Sequence, residues 1–155
     1  MMPEIEIIRG GFEREDVMAL LTFHVSDAQA NSPLDSSHAM TAHALNTHDI
    51  RFWHYRIGGE LVGFCALKHT SADTAEIKSM RTDTNYQKRG IGSFILNHII
   101  HEAKARGYGK LELETGANEA FLPARRLYKK HGFNTCSPIK GYSDHPFSVF
   151  MRLSL

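Results

Sequence analysis

Gln87-Lys88-Arg89-Gly90-Ile91-Gly92 joins a run with strand alternation, Ala75 to Thr82, to a run with helical periodicity, Ile91 to Arg106. Two glycines at a strand-to-helix turn let the backbone curl tightly and come close to a bound group. The first turn of a helix carries unpaired N–H groups and the positive end of the helix dipole. Together these features make an anion site suited to phosphate, and Lys88 and Arg89 add positive charge. One reading is a grip on the pyrophosphate of a nucleotide-like cofactor. The other is a glycine-eased turn with solvated basic residues. The stretch is not a dinucleotide fingerprint, because position 95 is Ile. It is not a P-loop either, because no Gly-Lys-Ser/Thr follows.

The 155 residues suggest a single domain, 1–155, large enough for a real core. A formal net charge of +1 argues against a nucleic-acid partner held by bulk charge. No apolar run is long enough to span a bilayer. Met1-Met2-Pro3-Glu4 lacks a basic and then apolar leader, so a cytoplasmic location is expected. Two cysteines, Cys65 and Cys136, are too few for a disulfide framework and share no metal spacing.

The elements read outward from the glycine turn. Glu4 to Arg9 alternates as a strand, with Ile5 and Ile7 on one face. Glu13 to Gln29 reads as a helix, with Val17, Leu20, Leu21 and His24 near a 3.6 period. Pro33 stops it, and Ser36 or Ser37 can cap a weaker helix ending near Leu45. Arg51 to Ile57 and Glu60 to His69 form a hairpin about Gly58-Gly59. Trp53 and Tyr55 alternate on the first of these strands and read as core or rim. After the turn, Phe94, Ile95, Ile99 and Ala103 make an apolar stripe that Gly107 ends. Lys110 to Thr115 follows as a strand, which makes a parallel βαβ unit. Leu122 to His131 is the last helix, with Pro123 in its first turn. Phe133 to Pro138 and Ser148 to Leu153 are final strands around a polar loop, Ile139 to Phe147. The fold class is therefore mixed α/β.

Three stretches carry a resemblance to a known family. Gln87-Lys88-Arg89-Gly90-Ile91-Gly92 matches the Q/R-x-x-G-x-G/A pattern of the GNAT superfamily of N-acetyltransferases. Ala75-Glu76-Ile77-Lys78-Ser79-Met80 looks like that family's fourth strand. Leu127-Tyr128-Lys129-Lys130-His131-Gly132-Phe133 looks like its L-Y-x-x-x-G-F helix end. Order and separations agree from about Ile5 to Leu153, most closely with small bacterial members. The resemblance implies a mixed, mostly antiparallel sheet of about six to seven strands, flanked by about four helices. It also implies acetyl-CoA as donor, gripped by Gln87, Lys88, Arg89, Gly90, Ile91, Gly92 and Ser93. Met80, Arg81 and Thr82 would hold the pantetheine arm through the backbone of a bulged, splayed strand. A free N–H near Met80 could hold the thioester oxygen. Ordinary ladder bonding is the alternative.

Acetyl transfer to an amine needs a proton acceptor and a proton for the leaving sulfur. Glu76 stands where strand-borne glutamates of the family act as base. Its plainer reading is an ion pair with Lys78, two residues on. The resemblance sets Tyr128 beside the cofactor sulfur as the acid. A core aromatic with a paired hydroxyl is the alternative. Lys78, Glu114 and Tyr142 are candidate contacts to the acceptor, with solvated surface positions as the alternative. Many relatives carry an Asn where this chain has Phe121, and that role is not carried over to Asn118.

His98 and His101 share a helical spacing, but no third ligand follows, so no metal is expected. The expected activity is N-acetylation of a small-metabolite or amino-acid-like amine, by direct attack in a ternary complex. The rivals are a non-catalytic acyl-CoA-binding module and a protein lysine or N-terminal acetyltransferase. No membrane or nucleic-acid partner is expected, and a homodimer is compatible with the chain.

Overall fold

The computed structural model describes residues 3–32 and 42–155. Seven strands form one sheet in the order β1-β2-β3-β4-β5-β7-β6. They are β1 (Glu6–Arg9), β2 (Ile50–Ile57), β3 (Glu60–His69), β4 (Thr74–Thr82), β5 (Lys110–Gly116), β6 (Asn134–Cys136) and β7 (Ser148–Ser154). The helices are α1 (Glu15–Ala30), α2 (Ala42–Leu45), α3 (Ile91–Ala105) and α4 (Leu122–Lys130). The expected start of the second helix, at Ser36 or Ser37, lies outside the described residues. Its end stands as α2.

All neighbouring strands are antiparallel except β4 and β5. That pair is bridged by α3, as a parallel pair requires a crossover. Strand alternation splits the apolar residues between two layers. On one face Cys65, Leu67, Ala75, Ile77, Leu111 and Leu113 meet α3. Ile91, Ile95, Leu96, Ile99 and Ala103 are the buried stripe of that helix. Leu96 joins the expected stripe, while Phe94 is only half-buried. Each buried Ile or Leu side chain here contributes about 1.5–3 kcal/mol by burial. On the other face Val17, Leu20, Leu21 and Leu45 cover Phe52, Phe64 and Ala66.

Trp53 and Tyr55 belong to the α3-side core. Ile5 is buried, but Ile7 on the edge strand β1 is 41% exposed, so the two do not share a covered face. Gly107 has φ +85°, the left-handed conformation that ends α3.

One irregularity shapes the site. Ser79 pairs with Ala66 and Ile77 with Leu67, so Lys78 has no partner on β3. Lys78 is the extra residue of a bulge, which bends and twists β4 at that point.

Candidate functional site

β4 and β5 are paired only from Thr74 and Lys110 to Ile77 and Leu113. Beyond these residues no ladder joins them, although β4 runs on to Thr82 and β5 to Gly116. The bulge at Lys78 turns β4 away, while β5 stays paired with β7 to its end. Backbone groups of Met80 to Thr82 that face the gap are therefore left without strand partners. This is the splayed strand that the family resemblance implies.

The gap widens into a cleft of about 730 Å³. At one end lies the glycine turn, through Gln87, Lys88, Gly90, Gly92 and Ser93. Lys88 has φ +62° and Gly90 φ +80°, so successive amides curve into a concave nest. Gly90 is the N-cap of α3 and brings no side-chain cap. The first amide to bond within the turn is that of Phe94, to the Gly90 carbonyl at 3.1 Å. Among the described residues, the amides of Ile91, Gly92 and Ser93 donate to no protein acceptor. Open amides at a helix N-terminus, with Lys88 beside them, fit a diphosphate. Gly92 also lets α4 approach, since a Cβ there would lie 3.1 Å from Leu127 Cδ2. Ile91 is buried and anchors the turn. Arg89 lies over the Tyr86 ring at 5.3 Å and is not on the cleft wall.

Tyr128 projects from α4 into the same cleft. It is buried against Phe133, with ring centroids 5.8 Å apart. Among the described residues its hydroxyl has no hydrogen-bond partner. Burial raises its pKa, helped by Cys65 and Glu114, so the phenol keeps its proton.

Glu114 is the first residue of β5 beyond the last pair, and it lines the cleft. Burial pushes its carboxyl up to about 7, against the opposing pull of Ser148 and Lys78; Glu76 adds to the rise. Glu76 is arranged differently. It is 4% exposed and is not on the cleft wall. Its Oε2 accepts from the Tyr142 hydroxyl at 2.7 Å and lies 3.3 Å from Lys78 Nζ. Lys78 Nζ also donates to the Tyr142 oxygen at 2.5 Å. The ion-pair reading of Glu76 and Lys78 is thus the observed one. Tyr142, offered as an acceptor contact, is instead the lock between them. Lys78 does reach the cleft.

The far wall comes from α1. His24, Asp27, Ala28 and Asn31 face the cleft across Ser79 and Arg81. Arg81 Nε donates to His24 Nδ1 at 2.9 Å, and Nη2 to Asp27 Oδ2 at 2.8 Å. Phe121 packs against Gly116, where a Cβ would overlap its ring. The position read as a missing Asn is therefore an apolar piece of wall. The Asn118 side chain donates to the Asn31 carbonyl and joins the two sides. From sequence His24 reads only as part of the α1 stripe, and Asp27 and Ser79 are not distinguished as site residues. The helical spacing of His24 and Asp27 gave the signal, because residues three apart share a helix face.

The histidine pair on α3 separates. His98 Nδ1 bonds the buried Tyr55 hydroxyl at 2.7 Å, while His101 is exposed. No group of three metal-ligating side chains occurs among the described residues. Cys65 is fully buried, and burial raises its thiol pKa. No described helix is long and apolar enough to cross a membrane.

Comparison with known proteins agrees with this fold. The model of the acetyltransferase (GNAT) family matches residues 17–133. The uncharacterized N-acetyltransferase YsnE of Bacillus subtilis is 42% identical over 139 residues, covering 90% of this chain and 92% of that one. The uncharacterized N-acetyltransferase YedL of Escherichia coli is 41% identical over 139 residues, covering 90% and 87%. A solved Bacillus subtilis acetyltransferase in complex with CoA has a TM-score of 0.70 at 21% identity, covering 98% and 99%. That structure carries the likeness in fold.

Proposed function

The chain belongs to the acetyltransferase (GNAT) family and is an N-acetyltransferase, and from that premise we propose that it moves an acetyl group from acetyl-CoA to a small amine by direct attack. The observation that carries the reading is one wedge with three fittings. Open amides lie at one end, an unpartnered phenol on one wall, and a carboxyl that titrates near 7 on another.

Acetyl-CoA supplies an acyl group already activated as a thioester. The amides of Ile91, Gly92 and Ser93, with Lys88, Gln87 and the backbone of Gly90, take its diphosphate. The free edge of β4 at Met80, Arg81 and Thr82 takes the pantetheine arm in the role that β5 would have filled. The backbone N–H near Met80 is the donor offered to the acyl oxygen.

Glu114 replaces Glu76 in our assignment of the proton acceptor. Glu114 meets the cleft and sits close to neutrality, where a base works best. Glu76 is committed to Tyr142 and Lys78, and its part is to hold Lys78 in place. The ammonium first gives a proton to Glu114, the freed amine nitrogen forms the bond to the acyl carbon, and the second proton it sheds makes good the one that Tyr128 gives up. The carbon–sulfur bond breaks, and the Tyr128 hydroxyl gives its proton to the sulfur. Removal from bulk water brings both partners together at high effective concentration.

The direct test is CoA release from acetyl-CoA with a panel of amines, alongside calorimetric titration with acetyl-CoA. Binding and turnover are expected. Binding without turnover on any amine would turn the reading into that of an acyl-CoA-binding module.

A further inference from the structure

The α1 side of the cleft carries more donor groups than the acetyl-transfer step uses. Ser79 and Arg81 lie opposite Ala66 and Phe64, so their side chains share the α1 face of the sheet. That face looks away from α3 and its glycine turn.

Arg81 is held from several directions. It donates to His24 and Asp27 and lies over the Phe23 ring at 5.4 Å. Among the described residues its Nη1 has no partner, and the residue lines the cleft. A guanidinium fixed in this way presents a planar pair of donors without further ordering.

His24 has its tautomer set by this contact. Arginine Nε can only donate, so His24 Nδ1 must be the acceptor and the ring proton sits on Nε2. Burial holds the ring neutral, with its pKa pulled down to about 4. His24 therefore offers one neutral donor to the cleft. Ser79 is 3% exposed, lines the cleft, and its Oγ has no hydrogen-bond partner among the described residues. A buried hydroxyl without a partner costs stability unless something bonds it.

The charges balance in pairs. Asp27 offsets Arg81, and Glu76 offsets Lys78. Glu114 is the remaining acid facing the cleft. Beside Asp27, Arg81 keeps its Nη1 for a second anion, and Glu114 keeps its carboxyl for a cation. A molecule with one positive and one negative end meets a partner for each.

We infer that the acceptor is a zwitterion, an amine that carries its own carboxylate as an α-amino acid does, with the carboxylate taken by Arg81, His24 and Ser79 and the amine turned to Glu114. This deepens the acetyl-transfer reading and rests on it. Arg81 and Ser79 act as binding residues that discriminate between acceptors.

The test pairs each amino acid with the amine that lacks its carboxylate, such as phenylalanine with phenethylamine and leucine with isopentylamine. CoA release gives kcat/KM for both members. The amino acids should exceed their partners by about 10²-fold or more, as expected where buried donors would otherwise stay unpaired. Ser79→Ala removes a hydroxyl with no protein partner. It should raise KM for the amino acids by about tenfold, the worth of one hydrogen bond to a charged group, and leave the amines unchanged. Arg81→Gln should collapse the ratio toward unity, with a cooperative thermal melt reporting that the variant is folded. Equal use of both members, or variants that shift both equally, overturns the inference and leaves acetyl transfer standing. No turnover of either set overturns the acetyl-transfer reading and the inference together.

Discussion

Ile77 and Leu113 are the last residues at which β4 and β5 lie in register. The next residue on each strand, Lys78 and Glu114, brings that strand's first charge to the cleft wall. The end of pairing therefore decides which charged groups reach the site. Glu76 and Glu112 stand one step before it, beside each other in the register, and are buried in ion pairs.

Glu114→Gln should lower kcat by about 10²–10⁴-fold, the range for removing a general base. In the parent protein kcat/KM should climb as pH rises through about 7 and then level off, because the carboxylate is the active form. The variant should lose that inflection. A pH–rate profile of both decides it. If Glu76→Gln removes the inflection and Glu114→Gln keeps it, the base is Glu76.

The same residue makes a stability prediction of definite sign. The Glu114 pKa is raised in the folded protein, so its favourable contribution is complete at low pH and is lost as pH rises from about 4.5 to about 7. Above that range a buried carboxylate costs the fold. Glu114→Gln should therefore melt higher than the parent at pH 8, and the gain should shrink at pH 4. Thermal unfolding at the two values checks it.

Tyr128→Phe should separate activity from stability. The hydroxyl has no partner among the described residues, so its removal should cost the fold less than about 1 kcal/mol. Loss of the proton donor should lower kcat by about 10²–10⁴-fold. Steady-state kinetics and thermal melts of one preparation give both values. A large fall in melting temperature would mean that the hydroxyl is structural.

Gly90→Ala should weaken acetyl-CoA binding at least tenfold and cost about 1–2 kcal/mol of stability. Gly90 has φ +80°, where an L side chain is strained. Gly92→Ala should be milder, since its Cβ would press on the movable Leu127 Cδ2 at 3.1 Å. Calorimetric titration of both variants orders them. An equal loss at the two positions would mean that bulk, rather than backbone conformation, governs the turn.

Tyr142→Phe should cost about 1–3 kcal/mol, because the buried Glu76 loses its 2.7 Å donor. Lys78 would lose its 2.5 Å acceptor and swing more freely in the cleft. Acceptor KM should rise more than acetyl-CoA affinity falls, which initial-rate kinetics with each substrate varied in turn would show.

Much of this protein is legible in the chain itself. Local chemistry sets the glycine turn, because Gly90, without a Cβ, takes the left-handed conformation into α3 at low cost. Periodicity sets the elements, because a strand repeats every two residues and a helix every 3.6. The motif order Glu76, Gln87–Gly92 and Leu127–Phe133 sufficed for the family. Tertiary structure alone decided the division of labour among Glu76, Glu114 and Tyr142. Sequence places Glu76 and Lys78 two apart on a strand, but it cannot show that Tyr142, from a loop 64 residues beyond Lys78, closes over both. Nor can it show that Glu114 falls just past the last strand pair, where burial lifts its pKa. Those properties depend on which distant segments exclude water from a carboxylate, and that is fixed only when the sheet is assembled.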